Sequence, residues 1–303
     1  MAMLLEQIRK DIIRSHPSLI GMDDVVEKEI LHHDILNLMY EHGFLQNLVF
    51  IGGTALRLCY GSSRLSEDLD FAASSAFQAD DLDSLALTIQ EVIHEKYQAS
   101  VSVRKAENKH SDTSVWKITI IKDATRPDLP AQKMHIDVSS VPSVDPKPKP
   151  IKDPHGASGE MSGRFIQVLS LEESLADKMI AFAYRSRRIK PRDVWDIAWL
   201  KQQGVSINID VVNQKLGLRR KASSDFSGAL AGQLDVMELS ETHQDFKNEM
   251  LRFIPSNIAA KTIEQDAFWP YIKDTIKEET LELIKMLDDP LGAHAKGSFD
   301  MGM

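Results

Sequence analysis

Hydrophobic and polar positions along this chain repeat with two different periods, and the period changes near its middle. Ile8, Ile12 and Ile13, then Val26, Ile30, Ile35 and Leu38, recur at helical spacing and predict helices within residues 1–47, with a break at Gly43. Asn47–Ile51 is a short apolar run that ends in Gly52–Gly53, as a buried strand entering a turn does. Thr54–Tyr60 reads as a short helix capped by Thr54, Gly61–Ser63 as a loop, and Asp68–Phe71 as a second strand. A helix is predicted over 79–96, with Leu82, Leu85, Ile89, Val92 and Ile93 on one face. Strands follow around 100–104, 116–121 and 134–138.

Residues 142–163 hold five prolines and three glycines and read as a loop or linker. Beyond them the pattern is helical. Ser170-Leu-Glu-Glu173 is a capping box, and Pro191 suits a first helical turn. Further helices are expected near 208–216, 225–236, 243–252 and 272–287. The expected organisation is an α/β domain over 1–150, a linker over 151–164, a helical domain over 165–290 and a flexible tail over 291–303. The fold class is α+β: a mixed sheet with flanking helices, then a helical C-terminal part.

Composition narrows the function classes. A length of 303 residues suits two domains, and 43% hydrophobic with 27% charged residues is ordinary for a globular protein. One cysteine, Cys59, excludes an internal disulfide framework and a cysteine-based zinc cluster. No apolar run has the length of a membrane span, and the first ten residues carry charges where a signal peptide needs an apolar stretch. A cytoplasmic protein with no membrane partner is expected. The net charge of -9 argues against coating of nucleic acid by the whole surface and leaves room for a local basic patch.

Candidate chemistry starts in Phe50–Phe71. Two glycines after a buried strand let the backbone approach a ligand, and the helix start behind them offers free N–H groups. Gly52, Gly53 and Thr54 thus form a candidate cradle for a phosphate. Asp68 and Asp70, two apart on a strand, share a face, while Leu69 and Phe71 point to the core. Side-by-side carboxylates repel unless a cation lies between them, and a hard cation completed by substrate phosphates suits them. Mg²⁺, or Mn²⁺, is the expected cofactor. Asp137, which shares a face with His135, is a candidate third ligand or proton acceptor. Arg64 and Ser66 are expected at the mouth of the site, on the loop before the metal strand.

Lys178, Ala181 and Arg185 share a face beside the apolar stripe Leu171, Leu175, Met179 and Phe182, so Lys178 is a candidate for the triphosphate; the bland alternative is a solvated lysine. In the next helix Asp193 and Asp196 share one face, and Trp195 and Trp199 share another that reads as core. Arg185, Arg187, Arg188, Lys190 and Arg192 put five cations and no acid into eight residues, as contact with an RNA backbone requires. Lys215, Arg219, Arg220 and Lys221 make a second basic cluster. His32–His33 has no matching ligand set, and Cys59 reads as a small core residue.

The Gly-Gly-Thr loop followed by Asp-x-Asp resembles the signature of the nucleotidyltransferase superfamily with a DNA polymerase β-like fold. The finer form, Gly52-Gly-Thr-Ala-Leu-Arg57 through Arg64-x-Ser-Glu-Asp-Leu-Asp-Phe71, resembles the AbiEii/AbiGii toxin family over about residues 47–200. In that family a Lys in one helix and an Arg-Asp-x-x-Asp-like motif in the next belong to the active site, and Lys178 and Asp193 match them. The resemblance implies a metal-dependent nucleotidyltransferase toxin that moves NMP from an NTP to an acceptor hydroxyl. It further implies the tRNA 3′ end, or another RNA, as acceptor and a separately encoded antitoxin as partner. The alternatives are modification of a small molecule or protein, and an inactive nucleotide- or antitoxin-binding module. Which NTP is used, whether the antitoxin binds directly, the oligomeric state and the roles of Asp137 and Asp196 stay open at this level.

Overall fold

The computed structural model describes residues 3–74, 76–77, 79–106, 113–122, 130–156, 159–185 and 188–288. The chain divides into two units, one of Met1–Leu169 with Phe253–Ile258, the other of Ser170–Arg252 with Ala259–Met303.

The first unit contains helices α1 (Met3–Ser15) and α2 (Asp23–Glu41), strand β1 (Leu48–Ile51), and a short helix α3 (Gly52–Ala55) that runs into a π-helical turn, Leu56–Tyr60. Strand β2 (Leu69–Ala73), helix α4 (Leu85–Tyr97) and strands β3 (Ser100–Ala106), β4 (Thr113–Ile121), β5 (Gln132–Ser139), β6 (Pro146–Pro150) and β7 (Phe165–Leu169) follow. The strands form one mixed sheet in the order β3-β4-β5-β2-β1-β7-β6. β1 and β2 are antiparallel neighbours, while β2 with β5 and β1 with β7 run parallel.

Period-two alternation sorts this sheet into two faces. Leu69, Phe71, Trp116, Ile118, Met134, Ile136 and Val138 are buried, and α2 and α4 pack on the sheet. Asp70, Lys117, His135 and Asp137 alternate with them and carry the charge. Phe50 and Phe71 meet across β1 and β2 with ring centroids 5.2 Å apart.

Two expectations are corrected here. The proline-rich stretch read as a loop over 142–163 contains β6, and Phe165–Leu169, assigned by sequence to the helical part, is β7. Proline is best tolerated in a strand that has no second neighbour, and β6 is at an edge of the sheet. Its alternation leaves Lys147 and Lys149 as the residues with N–H groups to give. The expected tail, 291–303, lies outside the described residues.

The second unit is helical: α5 (Leu171–Ala183), α6 (Pro191–Gln202), α7 (Ile209–Leu218), α8 (Ser223–Met237), α9 (Ser240–Met250) and α11 (Phe268–Asp288), with a short α10 (Ser256–Ala259) where the chain re-enters it. Ser170 caps α5 by accepting from the Glu173 N–H, and Pro191 opens α6. Trp195 and Trp199 are buried, as the core reading expects. No described helix is long and apolar enough to cross a membrane.

α2 buries polar groups as well as its apolar stripe. His32 and His33 are both buried; burial pushes the His32 imidazole down to about 4 and lowers His33 as well. An unfolded chain takes up protons at these groups as pH drops below about 6.5, and the folded chain does so only near 4. Stability is therefore full above pH 6.5 and declines towards pH 4, by about 3 kcal/mol at His32. Thermal melts at pH 7.5, 6 and 4.5 should show a steady fall, and a flat profile from 7.5 to 4.5 would contradict the buried neutral histidines.

Candidate active site

The Gly-Gly turn and the Asp-x-Asp strand meet because β1 and β2 are neighbours in register, with Ile51 opposite Asp70. Gly52 has a φ of +77°, which favours glycine, and a Cβ there would lie 2.4 Å from Asp70 Oδ2. A Cβ on Gly53 would lie 2.0 Å from Arg64 Nη2 and 3.2 Å from Ser66 Oγ. Gly52 is thus required by its positive φ and by the crowding of Asp70, while Gly53 makes room for Arg64 and Ser66 packed across it. The helix behind them starts at Gly52, not at Thr54, and its N-cap, Ile51, supplies no side-chain acceptor. That leaves the first-turn N–H groups beside Asp70 without a side-chain cap.

Three sequence expectations change in this loop. Thr54 is buried, and its hydroxyl donates to the Asp68 carbonyl rather than standing ready for a phosphate. A hydroxyl has one proton to give, so the cradle is left to the glycine backbone. Arg64 and Ser66, expected at the mouth, are buried over Gly53, and Arg64 Nη1 donates to the Leu65 carbonyl. Arg64 shapes the turn from within.

Asp68 is about one-third exposed, and its Oδ1 accepts from the His135 N–H at 2.8 Å. Asp70 lies in register with Asp137 on β5, so the two side chains project from the same face of neighbouring strands. Among the described residues, no group of three or more His, Cys, Asp or Glu side chains is arranged to hold a metal ion. Asp137 is therefore not drawn into a three-carboxylate cage with Asp68 and Asp70; Asp68 is turned towards His135 instead. What the donor set does fit is a hard cation held by two carboxylates and completed by phosphate oxygens, since Asp70 lies directly against the glycine turn.

Sequence reasoning missed the support given by α2. His32 Nε2 donates to the Glu67 carbonyl at 3.1 Å, and Lys28 Nζ donates to the Glu67 carboxylate at 2.9 Å. Glu29, also buried, takes Arg57 Nε at 2.9 Å and His155 Nδ1 at 2.7 Å. Burial works to raise the Glu29 carboxyl, and Arg57 and His155 override it and hold it well below the usual range. The only sequence signal for these contacts was polar residues standing beside an apolar stripe at 28, 29, 32 and 33.

In the second unit Lys178 is not a solvated lysine. Its Nζ lies 2.9 Å from Asp193 Oδ1 and 2.8 Å from Asp196 Oδ2, and both carboxylates are buried. Arg185 Nη2 reaches Asp193 Oδ2 at 2.9 Å. Burial would raise the Asp193 carboxyl; Lys178 and Arg185 together hold it far below the usual carboxylate range. Burial lowers the Lys190 ammonium, against the pull of Asp193.

The basic run is partly engaged within its own unit. Arg188 approaches Asp245 and Glu249 of α9, and Arg192 Nε donates to Glu249 at 3.2 Å. Arg187 lies outside the described residues. The second basic cluster is corrected: Lys215 is buried against Glu173 at 2.6 Å and Asp177 at 3.2 Å, and Arg219 pairs with Asp177. A buried, paired lysine cannot meet an RNA phosphate without leaving a buried carboxylate uncompensated.

The turn makes a specific demand at Gly52. Gly52→Ala forces a left-handed alanine, at a cost of about 1–2 kcal/mol, and drives its Cβ into Asp70. Nucleotide transfer should fall by about a hundredfold in a protein that still folds. Gly53→Ala, which meets mainly the movable end of Arg64, should lose less. Wild-type transfer in Gly52→Ala would show that the contact with Asp70 does not matter.

Comparison with known proteins identifies the family of the chain. The family described as "Nucleotidyl transferase AbiEii toxin, Type IV TA system" matches residues 35–273. MenT4, a nucleotidyltransferase toxin from Mycobacterium tuberculosis H37Rv, has a similar structure at a TM-score of 0.55 and 16% identity, covering 92% of this chain and 98% of its own. JHP933 from Helicobacter pylori aligns at a TM-score of 0.46 and 15% identity, over 89% of this chain and 97% of its own. No curated protein sequence matches. The structural likeness to MenT4 is one of fold, while the family match spans most of the chain from α2 into α11: this protein belongs to the AbiEii family of nucleotidyltransferase toxins of type IV toxin–antitoxin systems.

Proposed function

We propose that this toxin transfers a nucleoside monophosphate from an NTP to the 3′ hydroxyl of a tRNA or another RNA, with Mg²⁺ or Mn²⁺ as cofactor. The observation that carries the reading is the close approach of Asp70 to Gly52, which sets one carboxylate of the Asp-x-Asp motif beside the backbone of the glycine turn. In the reaction a new bond forms between the acceptor oxygen and the α-phosphorus, and the bond to pyrophosphate breaks. The acceptor proton is assigned to Asp137, which shares a face and a register position with Asp70. Gly52 and Gly53 bind the phosphates through backbone N–H groups. Asp68 and Asp70 would hold the cation, which when bound neutralises charge on the phosphates. Lys178 and Asp193 are assigned to nucleotide handling by the family resemblance, and their mutual ion pair fixes the lysine's head group.

An RNA acceptor draws support from Arg185, Arg188, Lys190 and Arg192. Arg188 is 65% exposed, and an exposed ion pair is worth little against a phosphate. The pairing of Arg188 and Arg192 with α9 favours, as a second reading, a protein or small-molecule acceptor. A separately encoded antitoxin is the partner that the family implies.

Incubation with each α-labelled NTP, Mg²⁺ and total RNA separates these readings. Label should enter RNA with one or more nucleotides, require the divalent cation, and disappear in Asp68→Ala and Asp70→Ala, both of which should fold because each relieves carboxylate repulsion. Label in protein or small molecules alone would support the second reading. Full transfer by Asp68→Ala would overturn the metal assignment.

A further inference from the structure

We propose that His32 of α2 is a positioning residue for the Asp68–Asp70 pair, acting through the backbone carbonyl of Glu67. The proposal rests on the reading of these two aspartates as cation ligands.

Strand pairing does not by itself orient Asp68. The ladder between β2 and β5 starts at Leu69, opposite Ile136, and that between β2 and β1 starts at Asp70. The peptides just upstream are held by side chains instead. His32 Nε2 donates to the Glu67 carbonyl, and the Thr54 hydroxyl donates to the next carbonyl, that of Asp68. Two consecutive carbonyls are thus pinned, one from α2 and one from α3. Lys28, one turn before His32, holds the Glu67 side chain in the same place. With the peptide planes on both sides of the Asp68 Cα held at their carbonyls, the direction of its Cα–Cβ bond is set, and the His135 N–H then orients the carboxylate.

His32 is suited to this task. It is 1% exposed, and burial keeps its ring neutral over the physiological range. A neutral ring has one N–H, and the carbonyl acceptor places it on Nε2. Through that nitrogen the ring acts on the backbone of Glu67. The arrangement is that of an outer support behind a metal site, where loss of one partner commonly weakens metal affinity or activity by about 10- to 100-fold.

The test uses the full chain in three forms besides wild type. His32→Leu removes the donor at similar bulk, His32→Gln restores an N–H donor, and Thr54→Val removes the second pin. Mn²⁺ binding in the presence of NTP is followed by the magnetic-resonance signal of free Mn²⁺, alongside kcat and KM for NTP, amide exchange over 64–71 and the melting temperature. His32→Leu should weaken Mn²⁺ binding and lower kcat by about tenfold or more, speed exchange over 64–71, and leave KM for NTP within about threefold at saturating Mn²⁺. His32→Gln should recover most of both losses. If His32→Leu does not fold, Thr54→Val must show the same pattern.

A folded His32→Leu with wild-type Mn²⁺ binding and kcat would overturn the proposal. So would a His32→Gln no better than His32→Leu, or losses confined to the melting temperature. Asp68→Ala, run in parallel, distinguishes the two levels. If it binds Mn²⁺ as wild type does, the cation reading itself has failed; if it does not, an unchanged His32→Leu overturns the positioning role alone.

Discussion

The constraint around which the candidate site of the first unit is built is the close approach of Asp70 to the Gly52 turn, with Asp68 two residues upstream. Asp70 projects from β2, and Asp68 lies one residue before the strand with its carboxylate on the His135 N–H. The unit holds this arrangement by fixing everything around it. Leu69 and Phe71 anchor the opposite face in the core, and β1 and β5 clamp the strand from both sides. The carbonyls of Glu67 and Asp68 are tied to α2 and α3. On the reading of this pair as cation ligands, carboxylates held in place in this way are prepared for a cation, since binding it adds little order.

The glycine turn follows from the same constraint. Bringing backbone N–H groups to within phosphate reach of Asp70 leaves no room for a Cβ at 52, and packing Arg64 across the turn leaves none at 53. The π-helical turn after α3 places Arg57 against Glu29, so α2 supports both the strand side and the helix side of the site. The second unit repeats the principle with opposite charge. A lysine is gripped by Asp193 and Asp196, and Arg185 completes the balance.

Much of this was legible in the sequence. The first strand, the glycine pair and the helix after it fall near their expected places, as do α5 to α9 and α11, because each rests on short-range periodicity or a local cap; the short α10 was not foreseen, and β2 starts at Leu69, just after Asp68. Long-range contacts were not legible. Thr54 read as a phosphate donor because nothing local showed the Asp68 carbonyl fourteen residues away. Lys215 read as a surface cation because the fold alone brings Glu173 to it, and Arg64 because nothing local showed its packing over Gly53. His32 looked uninformative for the same reason, with a partner at Glu67. Pro146–Pro150 failed in another way: composition signalled a loop, and its position at an edge of the sheet permits a strand.

The central claim is that the Gly52–Gly53 turn and the Asp68–Asp70 pair form a single site for an NTP and its cation. Crystals grown with Mn²⁺ and a non-hydrolysable NTP analogue, measured at the manganese absorption edge, test it most directly. The account predicts an anomalous peak coordinated by Asp68 and Asp70, with phosphate oxygens on the N–H groups of the glycine turn. A well-ordered analogue whose phosphates lie elsewhere, or a manganese peak that touches neither aspartate, would contradict it.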